Sequence, residues 1–184
     1  MLLKTLAVAA WSFTALAAGP ETTAGTITYT ATGILASTPT SGSDPLELAG
    51  ERFTVTVTVS TSAKPSQTGR NWAVYSNLQL TGTVHSGLVG PPPVKIGSKQ
   101  ANIQQLIDPG QYDEFRMGAP LHIFSLNISI VADVKLPAGT LNGPLIQPFN
   151  PVTMNPGDAS FTYYEGGQST TLAIQSGTLT AVLN

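Results

Sequence analysis

The sequence predicts an all-β protein: a two-layer antiparallel β-sandwich of jelly-roll or Greek-key kind, with about eight or nine strands. Three observations carry that expectation. Apolar and polar residues alternate with period two in segment after segment, as strands with one buried and one wet face do. Gly and Pro are abundant, at 18 and 14 of 184 residues, and they cluster with Ser and Thr between the alternating segments. Charged residues make up 10% and hydrophobic residues 41%, too few of the first for a coiled coil and too many of the second for wholesale disorder.

The first segment, MLLKTLAVAAWSFTALAAGP, stands apart from the strands. Lys4 precedes an apolar run of about a dozen residues and then small residues, which is the secretory-signal pattern. The run is too short to span a ~30 Å hydrocarbon core. Ala15 and Ala17 satisfy the A-x-A rule, so residues 1–17 read as a signal peptide cleaved after Ala17. Residues 18–184 then read as a single β-sandwich domain without a later membrane span, secreted, periplasmic or held at the cell surface. The chain has no cysteine, which excludes disulfide and zinc-thiolate scaffolds and a lipidated-Cys anchor. A formal charge of −2 leaves no basic footprint for nucleic acid.

Strands follow in order. In Thr26–Thr32 every even position is Thr, with Ile27, Tyr29 and Ala31 between. Phe53, Val55, Val57 and Val59 alternate with Thr54, Thr56 and Thr58. From Trp72 to His85, strict alternation puts Trp72, Val74, Leu78, Leu80 and Val84 in the core and Tyr75 outside. Phe124, Leu126, Ile128 and Ile130 alternate with Ser125, Asn127 and Ser129, and His122 shares their buried parity. Phe161–Tyr164 and Thr170–Ser176 flank Glu165-Gly-Gly-Gln168, a hairpin turn. Gly177 marks a bulge or bend before the last strand through Leu179, Ala181 and Leu183. Loops are predicted at Ser37–Pro45, Ser62–Asn71, Gly90–Pro93, Asp108–Tyr112 and Pro137–Gly157, the last with a short extended segment near Leu145. Gln100–Ile107 alone has a helical look.

Chemistry is sparse. No Gly-x-Ser-x-Gly elbow occurs, and His85 and Ser86, as strand neighbours, point to opposite faces. Gly90–Lys99 lacks the Gly-Lys-Ser/Thr order of a phosphate loop, and its prolines remove backbone donors. Asp108, Asp113 and Glu114 form the tightest acidic group, a candidate calcium loop, though solvated turn acids explain it as well. Tyr75 and Tyr164 have outward parity and Tyr112 lies in a loop, so these three are the candidate ligand-binding residues. The Thr rows would make a hydroxyl array if their strands neighbour each other, but high β-propensity is the plainer reason for Thr there.

The signal peptide, TITYTATG at Thr26–Gly33 and FTYYEGGQSTTLAIQSGTLTAV at Phe161–Val182 together resemble exported bacterial proteins of the PEP-CTERM-associated type. The resemblance implies a cysteine-poor, β-dominated protein serving the cell surface or extracellular matrix. The sorting tail of such proteins, Pro-Glu-Pro with an apolar helix and basic residues, is not seen before Asn184, which implies a released or periplasmic form. The functional expectation is a non-catalytic exported protein with a surface, matrix or ligand-binding role and carbohydrate or other surface proteins as partners. Alternatives are a carbohydrate-binding module, a secreted hydrolase using converging carboxylates, and an assembly subunit pairing through edge strands.

Overall fold

The computed structural model describes residues 25–40, 42–108, 111–123, 126–165 and 168–184; the segment read as a signal peptide, Phe124, Ser125 and the expected turn residues Gly166 and Gly167 lie outside them. The described residues contain no helix. Their strands are β1 (Thr26–Leu35), β2 (Arg52–Ser60), β3 (Gln67–Thr68), β4 (Trp72–Val84) and β5 (Val94–Asp108). The series continues with β6 (Tyr112–Ile123), β7 (Leu126–Pro137), β8 (Phe149–Met154), β9 (Ala159–Glu165) and β10 (Gln168–Leu183). Pairing runs β1-β2-β4-β5-β6-β7-β9-β10, every neighbour antiparallel, and β10 returns to β1 along Ile27↔Leu183 to Leu35↔Ile174. Eight strands thus close into a barrel, while β8 borders the C-terminal half of β10 and β3 borders β4.

The closure corrects the expected two-layer sandwich. Period-two alternation specifies one buried face per strand, a property that sandwiches and barrels share. The difference is made by strands that bend. In β10 the buried positions are Thr170, Leu172 and Ile174, then Leu179 and Ala181. The inward parity switches at an irregularity where Ile34 faces Ser176 and Leu35 faces Ile174, beside the Gly177 that the sequence marks. Such a bulge sharpens twist and lets one strand pair with β9 early, with β8 late, and with β1 on its other edge.

A second bulge inverts part of β4. Asn77 takes a left-handed φ of 59°, a conformation that Asn tolerates better than most residues. Register shifts flank it, between Tyr75 and Leu78 and between Leu78 and Leu80. Before the bulge Ala73 and Tyr75 point inward; after it Leu80 and Val84 do. Trp72 and Val74 are consequently half-buried on the outer wall, and Tyr75, expected outside, is in the core. Gln100–Ile107 is strand, not helix, with Ala101, Ile103 and Gln105 buried at period two. The buried amide of Gln105 and the adjacent apolar Leu106 and Ile107 blur that period in the sequence. The extended piece of the long loop is β8, a few residues beyond Leu145.

The interior is a packed core. At the lower end, where β1 begins, Tyr29 stacks on Phe115 at 4.8 Å between ring centroids, and Phe149 meets both. At the upper end Phe53 meets Phe161 edge-on at 5.2 Å. The outer wall carries Thr, Ser and charged residues, the reverse of a membrane barrel's apolar outside and polar lumen.

Candidate functional site

Both mouths of the barrel are closed by the chain itself. At the lower end residues 138–148 fold across the opening and Leu141 is buried there. The Leu141 N–H donates to Asp113 Oδ2 at 2.8 Å, and the Ile146 N–H to the Tyr75 hydroxyl at 3.4 Å. Tyr29 both donates to the Gln147 carbonyl and accepts from its N–H, each at 3.1 Å, and accepts from Gln105 Nε2 at 3.3 Å. At the upper end Leu46 and Leu48 are buried plugs. Ser86 Oγ donates to the Leu46 carbonyl at 2.5 Å, while Asp44 accepts from the Tyr163 hydroxyl at 2.8 Å and the Ala49 N–H at 2.7 Å. Burial pushes the pKa of the Tyr29 and Tyr163 hydroxyls far up, so both stay neutral donors. Each of these buried polar groups ties a loop to the barrel. Ser86 has that structural role, with His85 exposed beside it.

The three candidate tyrosines do not form one surface. Tyr75 is 2% exposed, inside the barrel. Tyr112 opposes Pro137 and Tyr164 opposes Asn127, at the two ends of β7. Ten residues of strand separate those partners, about 33 Å at ~3.3 Å per residue. The bulge in β4 and the length of β7 thus keep these three rings apart. The acidic group divides as well. Asp113 and Glu114 leave β6 on opposite sides, Asp113 into the lower mouth and Glu114 to the outer wall, while the Asp108 side chain lies outside the described ones. Among the described residues no three His, Asp or Glu gather as a metal group.

Glu114 instead belongs to a charged cluster on the outer wall. Across the β6–β7 ladder it opposes Lys135, and Arg116 opposes Asp133. Lys135 Nζ sits 4.6 Å over the Tyr112 ring. Partial burial, then the neighbouring Asp133 charge, raises the Glu114 carboxyl above its ordinary range, against opposing help from Arg116 and Lys135. A raised carboxyl favours the fold below its unfolded value and loses that advantage as pH climbs through the folded value. Glu114→Gln is therefore expected to stabilise the fold at pH 7 by no more than ~0.5 kcal/mol at this partly exposed site, read as a higher urea midpoint, and to leave stability unchanged at pH 4. Glu114 and Asp133 neighbour each other on the outer wall, and neither lines the groove at the seam of β5 and β6.

The outer wall is indented elsewhere, along the seam of β5 and β6. Their ladder runs from Asp108↔Tyr112 to Asn102↔Gly118 and stops, although β5 begins at Val94 and β6 reaches Ile123. Pro120 has no N–H to continue the ladder, and Gly118 leaves the wall bare just before it. A groove of about 400 Å³ lies over this point, lined among others by Ser76, Asn102, Gln104, Arg116 and Ser129. A slot of about 260 Å³, between Gly97–Gln100 and Pro120–His122, continues it and shares Pro120. His122, expected at the rim of the buried face, is exposed, because β6 buries odd positions through Ile123. Sequence reasoning missed this seam; the strand-weakening Gly118-Ala119-Pro120 was its visible sign.

The Thr rows do neighbour each other. Thr83, Thr54, Thr32, Thr178 and Thr153 lie in one row across five strands, and Thr81, Thr56, Thr30 and Thr180 in the next. Closing eight strands turns the wall by roughly 45° per strand on average, so such rows wrap around the barrel rather than form a plane. Hydroxyls link along them, as between Thr30 and Thr56 at 3.3 Å.

Comparison with protein-family models, with curated proteins and with solved structures finds no match for the chain. The class defined by geometry is a closed, self-plugged antiparallel β-barrel with a seam groove on its outer wall.

Proposed function

We propose that this chain is an exported barrel that acts at a cell surface, in an extracellular matrix or in a periplasm by binding a ligand rather than converting it. The observation that carries this reading is the closure of both mouths: a filled interior leaves the outer wall as the place for a ligand. The signal-like first 17 residues and the resemblance to PEP-CTERM-associated proteins support export from a bacterium. The buried ionisable groups of the described residues serve as loop tethers, which supports a scaffold over a reactive centre.

The groove over Asn102 and Gly118 is the binding surface in this reading, with carbohydrate as the ligand class. Its amides and hydroxyls both donate and accept, as sugar hydroxyls require. The test is an array of matrix polymers and glycans probed with the full chain and with Ser129→Trp, which fills the groove from an outward position. Binding by the wild type and its loss in Ser129→Trp is the expected result. Equal binding by both would place the site elsewhere, and no binding by either would end the ligand-binding reading.

A further inference from the structure

We infer that the β5–β6 seam groove holds a carboxylated polysaccharide, a polymer of uronate type. The inference rests on the groove reading and names its ligand. The chain as a whole is acidic, with 10 Asp and Glu against 8 Lys and Arg. The groove and slot nonetheless include no carboxylate in their lining, while Arg116, Lys99 and His122 project there. Arg116 lies in the groove and Lys99 in the slot that continues it, so cations stand at separate points along the seam rather than at one. A linear anion fits that spacing better than a compact one.

Arg116 is available despite its acidic neighbour. Its Nε is 4.0 Å from Asp133, beyond hydrogen-bond length, and both side chains are about half exposed. The planar guanidinium keeps donors to take a carboxylate in a bidentate way. Asp133 stands opposite Arg116 and Glu114 beside it, both outside the groove's lining, so an anionic chain is directed away from them, from Arg116 toward Lys99. Between those charges stand Asn102, Gln104 and Ser129, partners for sugar hydroxyls. Aromatic rings are missing from this lining, so stacking on neutral pyranose faces has no platform here. Pro120 lacks the N–H that an added peptide strand would need and blunts the seam edge against one, while Val74, Ala119 and Val131 give the groove an apolar floor beside its polar groups.

Affinity electrophoresis of the full chain through gels containing polygalacturonate, dextran or polyglutamate tests this. Retardation by polygalacturonate that weakens with added salt is expected, without retardation by dextran. Arg116→Ala with Lys99→Ala should weaken it about tenfold or more, while Lys64→Ala, an exposed cation outside the groove, should not. Circular dichroism checks that the variants keep the wild-type fold. Retardation by dextran equal to that by polygalacturonate, unchanged in the double variant, would overturn the acidic ligand and leave the groove reading standing. Equal retention by polyglutamate would overturn the polysaccharide. Loss of all retention in the wild type would overturn the inference, and Ser129→Trp on the wider array would then decide the groove reading separately.

Discussion

Phe115→Ala is expected to remove about 3–5 kcal/mol of stability, the cost of deleting a fully buried ring from a close-packed core. Phe115 is 0% exposed and touches two other rings, stacked on Tyr29 at 4.8 Å and edge-on to Phe149 at 5.5 Å. Those contacts join β1, β6 and β8 at the lower mouth, where Tyr29 also anchors the plug through Gln147. The variant should lose the plug along with the ring, because the tyrosine that holds it loses its support. A domain of this size has roughly 5–15 kcal/mol in total, so the variant is expected near the limit of folding. Urea denaturation followed by circular dichroism reads the effect; a loss below ~1 kcal/mol would mean that Phe115 is not in the core.

Gly177→Val should be nearly as damaging, at least ~2 kcal/mol, although Val is the better strand former. A Cβ at Gly177 would fall against the Thr32 carbonyl oxygen, closer than atoms approach, and within 2.8 Å of Met154 Cε. Thr32 is backbone of the neighbouring strand and cannot yield without opening the β1–β10 ladder that closes the ring. Strand propensity and steric fit therefore make opposite predictions at one position. Gly143→Ala is the matched control: a Cβ there meets nothing within 4 Å, and its effect should be slight. Denaturation midpoints of both variants measure the contrast, and a neutral Gly177→Val would contradict the close approach of β1 and β10.

Strands were legible wherever alternation runs unbroken. In β1 and β2 each residue faces as the sequence pattern says, with Ile27, Tyr29, Phe53, Val55 and Val57 inward and the Thr residues outward. Bulges set the limit. A single extra residue inverts every later side chain, so Asn77 exchanged Tyr75 and Trp72 between core and surface without disturbing the local composition. Gly177 betrayed its bulge because glycine is conspicuous in a strand; Asn77 did not. Closure was illegible for another reason: it depends on pairing Ile27 with Leu183, a contact across nearly the whole described chain. The seam groove was hidden because it follows from where pairing stops, and alternation reports burial, not partners. Glu114 and Asp113 were found as a cluster in sequence but separated by strand geometry, the same rule that had already set His85 apart from Ser86.

Cross-strand nuclear Overhauser contacts between backbone protons test the account most directly, since they count which ladders exist at once. A closed barrel predicts them at all eight junctions of the ring, among them Tyr29–Ala181 between β1 and β10 and Ile130–Phe161 between β7 and β9. It also predicts contacts from Asn102–Gly118 down to Asp108–Tyr112 and none between Gly97–Gln100 and Pro120–His122, where the wall parts. Two junctions without any contact would leave two separate sheets facing each other, and the barrel with its outer seam would be wrong.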